Sequence, residues 1–133
     1  MVTRRGKPLR LTKRRIVELG LRDPSFERDQ RIRDVILSIP RGKVATYAQV
    51  AAAAGYPLYH RHVVRLLRQS GDSLPWQRVV GAGGFIKLHL DAGLEQRLRL
   101  EMEGVKFLGK RIDMAAHAHS FETWGVDLSP RGA

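Results

Sequence analysis

The chain of 133 residues contains no cysteine. That absence excludes disulfides, thiolate zinc sites and any cysteine nucleophile. Acidic residues are scarce as well: 13 Asp and Glu stand against 24 Lys and Arg, a formal net charge of +11. No apolar run approaches the roughly 20 residues that a membrane-spanning helix needs. The basic N-terminus lacks the apolar stretch of a secretory signal, so a cytoplasmic protein without membrane attachment is the expectation. No internal repeat is visible. The glycine cluster from Gly81 to Gly84 lacks the Lys-Ser/Thr ending and direct helix start of a phosphate loop.

What is present fits one globular domain. Hydrophobic residues make up 43% and charged residues 28%, enough apolar material for a core and too much for a disordered chain. The cationic excess favours a polyanionic partner, nucleic acid above all, because cations at phosphates release condensed counterions. Charge alone does not choose between DNA and RNA.

Residues 1–23 read as a basic N-terminal arm containing Arg4, Arg5, Lys7, Arg10, Lys13, Arg14 and Arg15. A short helix from Leu11 to Leu19 and an arm that orders on nucleic acid are both compatible with that composition. Asp23-Pro24-Ser25 reads as a helix start with Ser25 at the N-cap. Ile32, Val35, Ile36 and Ile39 then recur at helical spacing until Pro40 stops the helix. Thr46 and Gln49 have the spacing of a capping box, which places Tyr47 at the first helical position. Gly55 is positioned for a left-handed C-cap. After Tyr56-Pro57, a second helix from Leu58 to Gln69 carries Tyr59, Val63, Leu66 and Leu67 on one face and Arg61, Arg65 and Arg68 on the other. A short helix, a turn and a basic amphipathic helix form the pattern of a helix-turn-helix. An arginine stripe is also what an ordinary solvated face carries.

Val79-Val80 and Phe85-Ile86 are expected to form a hairpin around the Gly81 to Gly84 turn. Asp91 is expected to cap a last helix through Glu103, with Leu94, Leu98 and Met102 spaced by four. Val105 to Ile112 reads as a strand or an extended arm. The fold class is therefore mainly α with a small β-hairpin, with residues 24–114 as the domain and 115–133 as a C-terminal tail. His117 and His119 in that tail lack thiol or acidic partners, so no metal and no cofactor is expected.

Trp76 lies between the helix-turn-helix pattern and the glycine turn, in Ser73-Leu74-Pro75-Trp76-Gln77-Arg78-Val79-Val80. An aromatic on a proline-set turn beside a basic helix has two readings. It is a packing residue, the commoner role of large aromatics, or a surface for a nucleobase.

Two motifs carry a resemblance. The run from Ile39 to Ala51, with Thr46-Tyr47-Ala48-Gln49 at its centre, resembles the helix-turn-helix entry of the O6-alkylguanine-DNA alkyltransferase C-terminal domain. Pro75-Trp76-Gln77-Arg78-Val79-Val80 sits where that family carries Pro-Cys-His-Arg-Val-Val. Glu101-Met102-Glu103-Gly104-Val105 resembles the end of its last helix, and the resemblance spans Phe26 to Ile112. It implies a winged-helix-like helix-turn-helix DNA-binding domain of the alkyltransferase C-terminal type.

Trp76 in the position of the acceptor cysteine resembles the alkyltransferase-like, non-enzymatic branch. An indole supplies no thiolate for alkyl transfer. Gln77 takes the place of the histidine that would activate the thiol, and it departs from that branch too. Counting back from Glu103-Gly104 puts the relay glutamate's position at Arg97. The resemblance implies a non-catalytic sensor that binds O6-alkylguanine in duplex DNA, flips the base into a pocket and directs it to nucleotide excision repair. By that resemblance Tyr47 crowds the 3′ phosphate and Arg61 fills the space the base leaves, with Thr46, Arg65 and Arg68 beside them at the DNA. Trp76, Pro75, Gln77, Arg78 and His89 make the lesion pocket. Double-stranded DNA and excision-repair proteins are the implied partners of a monomer. The stretch from His62 to Leu67 is bulkier than the family's recognition helix, so minor-groove docking rests on the resemblance alone. The competing reading is a sequence-specific helix-turn-helix regulator.

Overall fold

The computed structural model describes residues 23–121, together with residues 12, 14 and 15. The helix read from Leu11 to Leu19 falls largely outside the described residues, as does Trp124.

Helix α1 spans Pro24–Leu37. Its N-cap is Asp23, and not Ser25 as the sequence suggests. Asp23 Oδ1 accepts from both the backbone N–H and the hydroxyl of Ser25, each at 2.9 Å. Pro24 makes this cap the better one, because its fixed φ suits the first helical position, where no N–H is needed. Ile32 and Ile36 are fully buried on the inner face.

Strand β1 is Ala45–Thr46 and runs directly into helix α2, Tyr47–Ala53. The capping box is formed. Thr46 Oγ1 accepts from the Gln49 N–H at 3.1 Å, and Gln49 Oε1 accepts from the Thr46 N–H at 2.9 Å. Gly55 ends the helix at φ +94, with Tyr56 N–H donating to Ala51 O and Gly55 N–H to Ala52 O, a Schellman closure. Helix α3, His60–Ser70, follows and buries Val63, Leu66 and Leu67. Tyr59 does not share that face. As the N-cap it stands outside the helix, edge-on to Tyr56 at 5.6 Å with the Arg28 guanidinium 5.2 Å above its ring.

The hairpin is not where the sequence suggests. Val79–Val80 forms β2, but it pairs parallel with β1, Ala45 opposite Val79 and Thr46 opposite Val80. Both valines are fully buried, an environment that an exposed hairpin does not offer and a pairing between two core clusters does. Phe85 instead returns its carbonyl to the Gly81 N–H and bridges to Arg111. The small antiparallel hairpin is formed by β3, Phe107–Leu108, and β4, Arg111–Ile112.

Helix α4 spans Leu90–Met102. His89 occupies the N-cap without a side-chain bond, and Asp91 lies inside the first turn. The helix is rotated from the face that Leu94, Leu98 and Met102 suggest: these are 59%, 52% and 77% exposed, while Gln96 and Leu100 point inward. Small residues set that rotation. Gly93 is pressed so closely that an added Cβ would lie 2.5 Å from the Leu88 carbonyl oxygen.

The interior is divided between two clusters. One joins Ile32, Ile36 and Ile39 to Val50 and Ala51 of α2, Val63 and Leu66 of α3, and Val79; the other joins Val44 and Val80 to Leu100, Val105 and Ile112. The β1–β2 pair lies between them and ties the start of α2 to the Trp76 segment. The chain after 113 begins with helix α5, Met114–His117, and Val44 bonds to His117 O and His119 N at 2.9 and 2.8 Å. No helix among the described residues is long and apolar enough to cross a membrane.

Candidate functional site

Pro75 ends an extended segment and Trp76–Arg78 forms a single 3-10 turn. The turn is anchored from below. Arg78 Nε donates to Glu103 Oε1 at 2.9 Å and its Nη1 donates to the Ile39 carbonyl at 3.0 Å. Gln77 Nε2 donates to the other oxygen of Glu103 at 2.8 Å. The Gly42 N–H adds a third bond to that carboxylate at 3.1 Å. Burial pushes the Glu103 carboxyl up, yet the bonds from Arg78, Gln77 and Gly42 outweigh it, so it sits below the ordinary carboxylate range. Gln77 and Arg78 thus hold the turn to α4 and to the loop after α1, with their side chains directed away from Trp76.

Trp76 projects on the other side. Its indole Nε1 donates to Asp72 Oδ1 at 3.1 Å, and the Arg99 guanidinium lies 5.0 Å from the ring centroid. Arg99 is itself held by Asp72 at 3.2 Å and Glu95 at 3.0 Å. The ring packs on the core cluster and forms one wall of a cavity of about 250 Å³. Tyr47, Leu67, Arg68, Leu88 and Gln96 contribute other walls. Trp76 therefore packs on the core, as its commoner reading has it, and also faces a cavity.

Tyr47 and Arg68 are the polar-tipped side chains that join Gln96 in the cavity lining. Tyr47 stands at the first position of α2, where the capping box fixes the helix start. Burial, partly offset by the charge of Arg68, pushes its phenol above the ordinary value, so it remains a neutral hydroxyl. Arg68 lines the same cavity. Arg61 and Arg65, on earlier turns of α3, line a second concavity of about 360 Å³ with Arg28, Tyr59 and His62. His62 Nε2 meets Asp29 Oδ1 at 2.6 Å. Burial raises the Asp29 carboxyl, but bonding and charge from His62 and Arg28 bring it below its ordinary value. Helix α3 thus links a basic concavity at its first turns to an apolar cavity at its last.

The predicted site residues separate accordingly. Trp76, Tyr47 and Arg68 meet at the cavity, and Arg61 and Arg65 meet at the separate concavity along α3. Thr46 spends its hydroxyl on the helix cap. Pro75, Gln77 and Arg78 frame the turn, and His89 caps α4 beside the lining residues Leu88 and Ala92. Arg97 lies elsewhere, bonded to Glu101 at 2.7 Å and stacked 4.3 Å over Phe107. The carboxylate beside Gln77 belongs to Glu103. His117 is committed to the backbone, its Nε2 accepting from the Lys106 N–H and its Nδ1 meeting the Gly42 carbonyl, each at 3.0 Å. Sequence reasoning missed Asp72 and Arg99 at the indole, Arg28 beside α3, and Gln96 in the cavity wall. Gln96 carried a signal, being the inward position four residues before Leu100 on a helix whose apolar stripe faces outward.

Comparison with known proteins identifies the family and the fold. Residues 27–105 match the family model of the 6-O-methylguanine DNA methyltransferase DNA-binding domain. The chain is 45% identical over 74 residues to a DNA base-flipping protein of Vibrio parahaemolyticus, covering 54% of this chain and 74% of the relative. It is 38% identical over 80 residues to alkyltransferase-like protein 1 of Schizosaccharomyces pombe, covering 57% and 74%. Its fold superposes with a TM-score of 0.62 and 30% identity on the crystal structure of S. pombe Atl1 in complex with damaged DNA containing O6-carboxymethylguanine, covering 71% of this chain and 96% of that one. The match to the family model spans more than half of the chain, and the fold is that of the same domain, so the chain belongs to the 6-O-methylguanine DNA methyltransferase DNA-binding-domain family.

Proposed function

We propose that this chain is a non-catalytic DNA-damage sensor. It binds O6-alkylguanine in duplex DNA, rotates the base into the Trp76 cavity and hands the lesion to nucleotide excision repair in the cytoplasm. The observation that carries the reading is an indole, in a chain without cysteine, walling an apolar cavity at the end of an arginine-bearing helix. Trp76 stands in the place of the acceptor cysteine. No thiolate is available to attack the alkyl carbon, so the bound lesion keeps its alkyl group. The relatives named for base flipping and for complexes with damaged DNA support the same reading.

The chain's own residues supply the steps. The cationic surface attracts the phosphate backbone by counterion release. Arg61 and Arg65 present guanidinium groups from one face of α3, and Tyr47 presses on the strand beside the target. Extruding a base costs a few kcal/mol, less when alkylation has already weakened its pair. Arg61 entering the vacated stack offsets part of that cost by stacking and hydrogen bonding. The base then lies against Trp76, whose apolar face suits an alkyl substituent, and aromatic stacking contributes about 1–3 kcal/mol. One protomer suffices for all of these contacts.

A titration at fixed salt tests the proposal by comparing duplexes that carry O6-methyl-, O6-benzyl- and unmodified guanine. Tighter binding to the alkylated duplexes, with the protein mass unchanged after incubation, is the expected result. Equal affinities, or a mass increase by one alkyl group, overturn it.

A further inference from the structure

Gln96 is 1% exposed and is the buried polar side chain among the described residues. Its Nε2 donates to the Gln77 carbonyl at 3.1 Å and the Val79 carbonyl at 2.9 Å. Carbonyl oxygens only accept, so the amide nitrogen has to face them, and the two ends of the amide are fixed by chemistry. Both amide hydrogens are used. The other end, Oε1, is buried without a hydrogen-bond partner. Buried polar atoms are nearly always paired, and an exception requires a reason. Holding the 77–79 segment explains the nitrogen and leaves the oxygen unexplained. The same side chain lines the Trp76 cavity, whose walls are otherwise mostly apolar.

We propose that Gln96 is a specificity-determining residue of this pocket. Its Oε1 accepts a hydrogen bond from the exocyclic amino group of the extruded purine and selects guanine-derived lesions over bases that lack the amine. The inference rests on the reading of the cavity as a base pocket. Alkylation at O6 leaves ring N1 without a proton, so the 2-amino group is the N–H donor remaining on that edge of the base. Apolar walls hold an alkyl group but discriminate weakly between base types, whereas a buried acceptor rejects a ligand that leaves it unpaired. The cavity of about 250 Å³ is ample for a planar base, since one of about 150 Å³ admits benzene. A donor reaches a side chain this enclosed only when the entering base parts the apolar groups over it. The contact therefore belongs to the base-loaded state.

The test compares the full chain on duplexes containing O6-methylguanine and O6-methylhypoxanthine, the same lesion without the 2-amino group, with guanine and hypoxanthine duplexes as controls. The expected result is roughly a tenfold preference for the amine-bearing lesion, about 1.4 kcal/mol. Loss of the amine weakens pairing with cytosine and eases extrusion, so that effect runs against the expected preference and does not mimic it. Gln96→Lys keeps a donor for the two carbonyls and removes the acceptor; its preference should fall to about twofold or less. Equal wild-type affinity for the two methylated duplexes overturns the inference, and that comparison holds whether or not the variant folds. A folded variant that retains the tenfold ratio overturns it as well. Absence of any preference for methylated over unmodified bases defeats the sensor reading instead, and an amine preference in the guanine–hypoxanthine pair then still supports Gln96.

Discussion

Trp76 donates its indole N–H to Asp72 Oδ1 at 3.1 Å, four residues earlier and across the short turn that ends α3. Arg99 donates to the same carboxylate and lies 5.0 Å from the centroid of the indole ring. The tryptophan is thus held in orientation by two solvent-facing side chains while its apolar surface packs inward.

Asp72→Ala and Arg99→Ala should change the pocket more than the fold. Exposed ion pairs contribute little to stability, so the melting temperature should move by only about a degree or two. The indole loses its fixed orientation. In a Trp124→Phe background, where Trp76 is the sole tryptophan, acrylamide quenching should rise and the preference for O6-alkylguanine over guanine should fall by about three- to tenfold. Asp72→Asn retains an acceptor for the indole and should recover most of the selectivity. Unchanged quenching in both alanine variants removes Asp72 and Arg99 from the mechanism.

Glu103 makes stability depend on acid. Its carboxyl is depressed in the folded state, so its contribution is fully present above the ordinary glutamate value of 4.5 and is lost as pH falls through the lower folded-state value. Glu103→Gln should cost about 2–4 kcal/mol at neutral pH, because Arg78 keeps a largely buried guanidinium without its counter-charge. Denaturant unfolding between about pH 6 and pH 3 should show a flatter acid limb in the variant than in the wild type. Parallel limbs place the acid dependence elsewhere.

The helix-turn-helix is legible in the sequence because its signals are local. Thr46 with Gln49, Gly55, and the i, i+3, i+4 pattern of Val63, Leu66 and Leu67 all act within one or two turns. The strand pairing is not, because Val79 meets Ala45 only through tertiary contact and two adjacent valines look the same in a hairpin or a parallel ladder. The rotation of helix α4 is hidden for a related reason. Leu94, Leu98 and Met102 advertise a buried face, but Gly93 is what the packed loop accepts and Gln96 what the turn's carbonyls accept. Trp76 is marked by its neighbours in sequence. Arg99 and Gln96 reach the site from α4 with no motif to mark them, and Glu103 lies in the family-like run from Glu101 to Val105 without a signal that pairs it with Gln77.

Gly93 shows how closely α4 approaches the loop before it. Any side chain at this position collides with backbone, since a Cβ placed there would meet the Leu88 carbonyl oxygen at 2.5 Å. Gly93→Ala should therefore destabilise the protein by about 1–3 kcal/mol, despite alanine's better helix propensity. Leu88 and Ala92 both line the cavity, so the displaced loop should also weaken binding to bulky O6-alkyl groups more than to O6-methylguanine. Thermal melts and the two titrations check the two parts separately. A variant as stable as the wild type contradicts the close approach.

Arg61 and Arg65 share a concavity but should differ in what they do to DNA. An arginine that only meets phosphate weakens binding to every duplex alike and lowers the slope of log K against log salt by about 0.9. An arginine that enters the stack acts on the step in which the base leaves it. Arg65→Ala should accordingly lower affinity for alkylated and plain duplexes by the same factor, with a shallower salt slope and normal extrusion. Arg61→Ala should instead reduce the fluorescence gain of a 2-aminopurine placed at the target position and cut the alkyl preference by roughly tenfold, about 1.4 kcal/mol of lost stacking and hydrogen bonding. The two groups lie on one helix at i and i+4, so the bulk electrostatic effect of removing either is nearly the same. A difference in extrusion between the variants therefore reports position at the stack. Equal extrusion in both removes the intercalating role from Arg61 and leaves α3 a phosphate-binding face alone.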